Sequence, residues 1–178
     1  MFVRADSGIN SVADLGGKTF CRPYPLSTSG WVVPSIVLSA NGVNPDTGLA
    51  QIVDAGSHDA AVSGVYNGDC DAGASYVDAR ITIEEDSPDV MDVIKVIEIS
   101  PPIPNDGVQF IPYFDAEMRD QIVAALLAIA ETEEGQEVLN ITYSWTALEE
   151  HDDTFYDPFR QLLDTASVSP LDLFNNPQ

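Results

Sequence analysis

Strand and helix signals alternate through residues 18–76 of this 178-residue chain, and that alternation limits the folds it can adopt. Short apolar runs at 18–22, 51–54 and 71–76 predict strands. Apolar residues at helical spacing predict helices at 28–40 and 58–66. Because strands that alternate with helices build βαβ units, we expect an α/β fold with a largely parallel sheet covered by helices.

The second half of the chain has a more helical pattern. Residues 93–99 predict a strand, since they alternate and are rich in β-branched residues, and a further strand is expected at 107–112. Residues 115–131 predict an amphipathic helix, with Asp115 placed to cap its N-terminus. Shorter helices are expected at 134–139 and 155–163.

Charge and cysteine content exclude several classes of function. Seven basic and 29 acidic residues give a net charge of −22, which argues against nucleic-acid or anionic-membrane partners. The two cysteines, Cys21 and Cys70, permit one internal disulfide, but we expect two small buried thiols. No spacing of Cys and His residues suggests a metal site, and no cofactor is implied. Tyr76 ends a predicted strand and could stack or hydrogen-bond in a cleft beside it, but we expect a core tyrosine.

Two predicted helices begin with residues suited to binding an anion. Ser27, Thr28 and Ser29 precede Gly30 at the start of the first helix, and His58 opens the second. The start of a helix carries unpaired backbone N–H groups and partial positive charge, so added Ser and Thr hydroxyls can bind a tetrahedral oxyanion. The alternative is structural: Ser27 or Thr28 caps its helix, and His58 is an ordinary residue of a capping turn. We expect a neutral His58, because a helix N-terminus lowers the pKa of a histidine.

The order of these motifs resembles a known family. The Ser-Thr-Ser-Gly segment is followed by Gly-Ser-His-Asp-Ala-Ala at 56–61, by Asp-Ala-Gly-Ala at 71–74, and by a Ser-Pro-Pro-Ile-Pro-Asn-Asp turn at 100–106. Residues 4–18 are similar to the segment that leads into the family's second lobe. In order and spacing, the chain resembles the phosphate, phosphite and phosphonate substrate-binding proteins of ABC importers.

The resemblance implies a type II periplasmic-binding-protein fold, in which two α/β lobes joined by two crossovers close on a ligand. On that basis residues 1–6 are the first crossover and 7–97 the complete second lobe with the anion site. Residues 98–178 are the return crossover and the C-terminal part of the first lobe. We expect the N-terminal part of that first lobe, and a signal peptide, to be missing from this chain.

The resemblance also implies which residues contact the ligand. Ser27, Thr28, Ser29 and His58 match the family's donors to the phosphoryl oxygens, and Asp78 and Asp106 match two acidic positions that face the far side of the ligand. Asp78 has an alternative interpretation as a solvated loop acid paired with Arg80, and Asp106 as a turn residue. Trp31 is expected to pack within the lobe.

The function implied is that of a solute-binding component, which captures a phosphonate, phosphite or phosphate and delivers it to ABC permease subunits. The protein is expected to be a monomer in the periplasm or outside the cell, with a lipid anchor as an option for the full-length protein. Catalysis is not expected, since no Gly-x-Ser-x-Gly nucleophile elbow is present. The alternatives are a ligand-sensing domain of a signalling protein with this fold, or a truncated copy without function.

Overall fold

The computed structural model describes residues 1–104 and 107–165, which divide into two compact units. The first unit comprises Met1–Ile103 and, nearer the end of the chain, the described residues 158–165. The second unit is Pro104–Asp157. Within the described ranges, no helix is both long enough and apolar enough to cross a membrane.

A five-stranded mixed sheet forms the centre of the first unit. The strands are β1 (Phe2–Arg4), β2 (Thr19–Arg22), β3 (Gln51–Asp54), β4 (Ala72–Gly73) and β5 (Ile94–Val96). Their order across the sheet is β3-β2-β4-β1-β5. Strand β2 is parallel to both β3 and β4, whereas β1 is antiparallel to β4 and β5. The expectation of a parallel sheet therefore holds only where strands alternate with helices, because β1 and β5 pair with each other directly.

Two strands are several residues shorter than the sequence predicts. The strand predicted at 71–76 spans only Ala72–Gly73, and the strand predicted at 93–99 spans only Ile94–Val96. Val93, the first residue of the longer prediction, is instead the last residue of α3 (Val90–Val93). After Gly73 the chain leaves the sheet, which frees residues 75–78 to form a loop at its edge.

Helices cover both faces of the sheet because consecutive residues of β2 point to opposite sides. Phe20 packs in a cluster with Trp31 and Leu38, which belong to the segment 28–40. Cys21 packs in a second cluster with Val62 and Val65 of α2 (His58–Asn67).

The helix predicted at 28–40 is present in two parts. It begins as a π-helical turn, Thr28–Val32, and continues as α1 (Val33–Ala40). The helix predicted at 58–66 ends one residue later, at Asn67, where Gly68 adopts a left-handed conformation with φ of 84°. Two 3-10 helices, Val12–Leu15 and Ala79–Ile83, complete the helical segments of this unit before α3.

The expectation of two free thiols is wrong, because Cys21 and Cys70 form a disulfide. Cys21 faces α2, and Cys70 follows the end of that helix, so the two Cα atoms lie 5.7 Å apart. Both residues are only 2% exposed. A Cβ atom at Gly64 of α2 would lie 2.9 Å from the Cys21 sulfur, so this turn of the helix needs a residue without a side chain.

The second unit contains the helix pair α4 (Ala116–Ala130) and α5 (Glu133–Tyr143). Asp115 caps α4 as predicted, by accepting a hydrogen bond from the amide of Met118. Helix α5 is longer than the predicted 134–139. The strand predicted at 107–112 is wrong, because no residue of that segment pairs in a sheet and its apolar residues Val108 and Ile111 are exposed.

The segment predicted as a helix at 155–163 is also divided. A 3-10 helix spans Asp153–Tyr156, and α6 spans Asp157–Thr165.

Candidate functional site

Three loops meet at one edge of the sheet, where the parallel strands β3, β2 and β4 have their carboxyl ends. The loop after β2 leads to Ser27, the loop after β3 leads to His58, and the loop after β4 contains Ser75. Ligands in α/β proteins bind in the crevice outside the carboxyl ends of such strands. The candidate residues at the two helix starts, Ser27–Ser29 and His58, therefore lie at the same edge of the sheet.

Ser27 caps the helix that starts at Thr28. Its hydroxyl accepts a hydrogen bond of 3.1 Å from the amide of Gly30, and its carbonyl accepts from the amides of Trp31 and Val32. The residue is only 3% exposed. The structural interpretation of Ser27 as a cap is thus confirmed.

Thr28 and Ser29 lie at the outer surface of the same turn, with Thr28 exposed and Ser29 half-buried. The first amides of a helix have no partner within it, so the N–H groups of this turn lie at its positive end. Gly30 allows the turn to pack closely on Pro23, because a Cβ atom at Gly30 would overlap the proline ring.

His58 is half-buried at the start of α2, and its ring nitrogen Nδ1 lies 2.6 Å from the hydroxyl oxygen of Ser75. Ser57 caps the helix by accepting a hydrogen bond from the amide of Ala60. Burial lowers the pKa of His58 from its ordinary value, and the charge of Asp59 acts weakly in the opposite direction. The expected neutral imidazole is supported, with burial as its main cause.

Two tyrosine rings flank His58. The Tyr76 ring centroid lies 4.9 Å and the Tyr24 centroid 6.1 Å from that of His58. Tyr76 is 45% exposed, so the expectation that it lies in the core is wrong; the chain has left β4 three residues before it. Tyr24 and Ser75 are not predicted from the sequence as residues of the site. Their only signal was their position just after two parallel strands.

Asp78 is held by Arg80 through both carboxylate oxygens. Arg80 donates from Nε to Oδ1 at 2.9 Å and from Nη2 to Oδ2 at 2.5 Å, and its amide also donates to Oδ1. These bonds lower the pKa of Asp78 below its ordinary value, chiefly through the guanidinium. The alternative of an acid paired with Arg80 therefore describes Asp78 in this structure. Asp106, the other predicted acid, lies outside the described residues.

Arg22, at the end of β2, is a buried cation behind the Thr28–Val32 turn. Its Nε donates a hydrogen bond of 2.5 Å to Oδ1 of Asp54, and its guanidinium lies 4.7 Å from the centre of the Trp31 ring. Trp31 itself is 3% exposed and packs edge-on against Phe20, which confirms the expectation that it packs within the fold.

The sheet order, the helix-covered faces and the edge site define a type II periplasmic-binding-protein fold. A binding protein component of an ABC phosphonate transporter from Pseudomonas aeruginosa superimposes with a TM-score of 0.69 and 26% identity, over 98% of this chain and 58% of that one. The sequence profile of one family, described as ABC transporter, phosphonate, periplasmic substrate-binding protein, matches residues 1–156. This chain belongs to that family.

Two curated relatives agree with the family assignment. The phosphonates-binding periplasmic protein of Escherichia coli is 28% identical over 166 residues, which are 91% of this chain and 48% of that protein. The phosphate-import protein PhnD of Mycolicibacterium smegmatis is 39% identical over 80 residues, 41% of this chain and 25% of that protein. The chain thus matches about half the length of the first relative and a quarter of the second.

Proposed function

We propose that this chain carries the anion site of a solute-binding protein that captures a phosphonate, phosphite or phosphate for an ABC importer. The proposal rests on one observation: two helices begin at the same edge of the sheet, and the His58 ring lies at the start of the second. Membership of the family over residues 1–156 supports the same ligand class. The relatives are named as binding and import proteins, and the proposal involves no covalent chemistry.

The ligand's phosphoryl oxygens accept hydrogen bonds from the first helix. The donors are the amides at its start and the hydroxyls of Ser27, Thr28 and Ser29. A hydroxyl can donate its proton while accepting another bond, so Ser27 keeps its bond from Gly30 and still donates to the ligand.

His58 adds a further donor from the second helix. When Nδ1 accepts the proton of the Ser75 hydroxyl, the neutral ring carries its own proton on Nε2. We assign this tautomer because the other nitrogen can then donate to an oxyanion.

The charge of the chain explains why such a site uses short-range donors. With a net charge of −22, the protein repels anions at long range. Salt limits that repulsion to about 8 Å at physiological ionic strength. Inside this distance, oriented amides and hydroxyls supply the attraction, and their strength rises as water is excluded.

Asp78 and Asp106 are proposed to face the far side of the ligand. In that position a carboxylate receives an ammonium group of the ligand or a proton on one of its oxygens, and it repels an unprotonated oxyanion. Because both oxygens of Asp78 are bound by Arg80, Asp78 reaches the ligand only if this pairing is shared or opened. Asp78→Asn and Asp106→Asn should therefore change the relative affinities for the different ligands. They should have less effect on the binding of the oxyanion group that these ligands share.

The organisation of the whole protein is part of the proposal. Residues 1–6 are assigned to a crossover, 7–97 to the lobe with the anion site, and 98–178 to the return crossover and the other lobe. The ligand is clamped between the lobes and delivered to the permease by a monomer in the periplasm or at the outer cell surface.

Isothermal titration calorimetry of the full-length gene product tests this function. The ligands are phosphate, phosphite, methylphosphonate, 2-aminoethylphosphonate and sulfate. We expect tight binding of one phosphorus oxyanion that is lost in Ser27→Ala and in His58→Ala. Ser39→Ala is the matched control, because Ser39 is exposed near the far end of α1. Absence of binding to all five ligands would overturn the proposal and favour a sensor domain or a copy without function.

A further inference from the structure

Arg22 differs from the other arginines whose ion pairs the structure describes. Arg4, Arg80 and Arg119 each donate two or more hydrogen bonds to one carboxylate. Arg22 donates to Asp54 from Nε, and its Nη1 is buried without a hydrogen-bond partner among the described residues. The residue is 6% exposed. A buried donor that stays unpaired is costly, and more so when it is charged, so this nitrogen marks a place where an acceptor is favoured.

The guanidinium of Arg22 is fixed against the anion-binding turn. It lies over the ring of Trp31, which belongs to the turn Thr28–Val32. The next residue, Pro23, is in close contact with Gly30 of the same turn. The cation and the helix start are therefore held together by two independent packing contacts.

The partner carboxylate offsets this charge only in part. The side chain of Asp54 is 54% exposed, whereas that of Arg22 is 8% exposed. Water screens the exposed carboxylate, but the buried guanidinium acts through protein of lower dielectric constant. A net positive potential therefore remains behind the turn, in a chain that has seven basic residues in all.

We propose that Arg22 is a specificity-determining residue, whose charge makes the site prefer a doubly charged tetrahedral oxyanion to a singly charged one of the same shape. The inference rests on the proposed function. Fixed positive charge stabilises a dianion about twice as much as a monoanion at the same position, so its effect appears in the ratio of the two affinities.

Methylphosphonate and methanesulfonate provide the test, because they have the same tetrahedral shape and differ in charge at pH 8.5. Both dissociation constants are measured by calorimetry on the full-length protein, and the readout is their ratio. We expect Arg22→Gln to reduce the preference for methylphosphonate about tenfold, which corresponds to about 1.4 kcal/mol. Arg22→Lys, which retains the charge, should keep the preference within about threefold of the wild type.

Asp54→Asn separates a charge effect from a structural one. If Arg22 acts by charge, removing the partner's negative charge raises the preference two- to threefold, opposite in sign to Arg22→Gln. If Arg22 only holds the turn in place, both substitutions weaken the two ligands alike. Arg4→Gln is the control, since Arg4 pairs with Asp6 away from the turn, and it should leave the ratio unchanged.

The outcomes distinguish the two proposals. If the wild type binds none of the four phosphorus oxyanions titrated for the proposed function, that function fails together with this inference. If it binds phosphate, phosphite or 2-aminoethylphosphonate but neither ligand of this test, the function stands and this inference is overturned. If the wild type binds methylphosphonate and the ratio is the same in Arg22→Gln, the function stands and the inference is wrong. If Arg22→Gln does not fold, the Asp54→Asn ratio decides, and an unchanged or lowered ratio overturns the inference.

Discussion

Replacing Ser75 with alanine tests how the histidine of the site is oriented. The hydroxyl of Ser75 lies 2.6 Å from Nδ1 of His58, and in the tautomer proposed above, with the ring proton on Nε2, this hydroxyl donates a hydrogen bond to Nδ1. A hydrogen bond between neutral groups contributes about 1 kcal/mol net, and losing it leaves a half-buried nitrogen unpaired. We therefore expect Ser75→Ala to weaken binding of the oxyanion about fivefold.

Two measurements on the same variant check this reasoning. Calorimetry gives the change in affinity, and nitrogen-15 NMR of the imidazole gives the tautomer. In Ser75→Ala the ring should populate both neutral tautomers, whereas Ser75→Thr retains a hydroxyl and should behave like the wild type. An Nε2-protonated ring and full affinity in Ser75→Ala would refute the role assigned to Ser75.

Three further predictions concern stability and are checked by urea unfolding. Gly64→Ala should destabilise the protein by about 1–3 kcal/mol, because the added Cβ would lie 2.9 Å from the Cys21 sulfur. This cost outweighs the helix preference of alanine over glycine, which is about 1 kcal/mol. When both cysteines are replaced by serine, Gly64→Ala should instead stabilise the protein. Opening the disulfide by replacing Cys70 with serine should cost about 2–4 kcal/mol, and an equal stability of oxidised and reduced wild type would contradict this. Burial holds the pKa of folded His58 below 6.5, so the unfolded chain binds the proton first and stability falls as the pH drops below 6.5. His58→Gln should remove that part of the pH dependence between pH 7.5 and 5.5, and an unchanged slope would show that burial of this ring does not govern it.

The elements that could be predicted from the sequence are those fixed by local pattern. Each of the two strands, which end at Arg22 and Asp54, is a short apolar run. Each of the two helices, which start at Thr28 and His58, has a capping residue directly before it. The segment 107–112 has β-branched residues too, but a strand needs a partner and none pairs with it in the described structure.

The features that the sequence did not predict depend on which face of a strand or helix packs against a neighbouring element. The Cys21–Cys70 disulfide forms because Cys21 faces α2, and the same pleat places Arg22 on the side of Trp31. Tyr24, which follows β2, reaches His58 because β2 pairs with β3, the strand that precedes His58. Ser75 reaches His58 from β4, which pairs with the other side of β2. Spacing along the chain contains no information about such pairings.

The location of the bound anion is the most direct test of the central claim. Methylphosphonate, phosphate or phosphite is added to nitrogen-15-labelled full-length protein, and the shifts of the backbone amides are followed. We predict that one of these ligands causes its largest shifts at residues 28–30 and 58–60, where the two helices begin. Saturable shifts confined to other parts of the protein, or none with any of the three, would contradict the claim that these helix starts bind a phosphorus oxyanion.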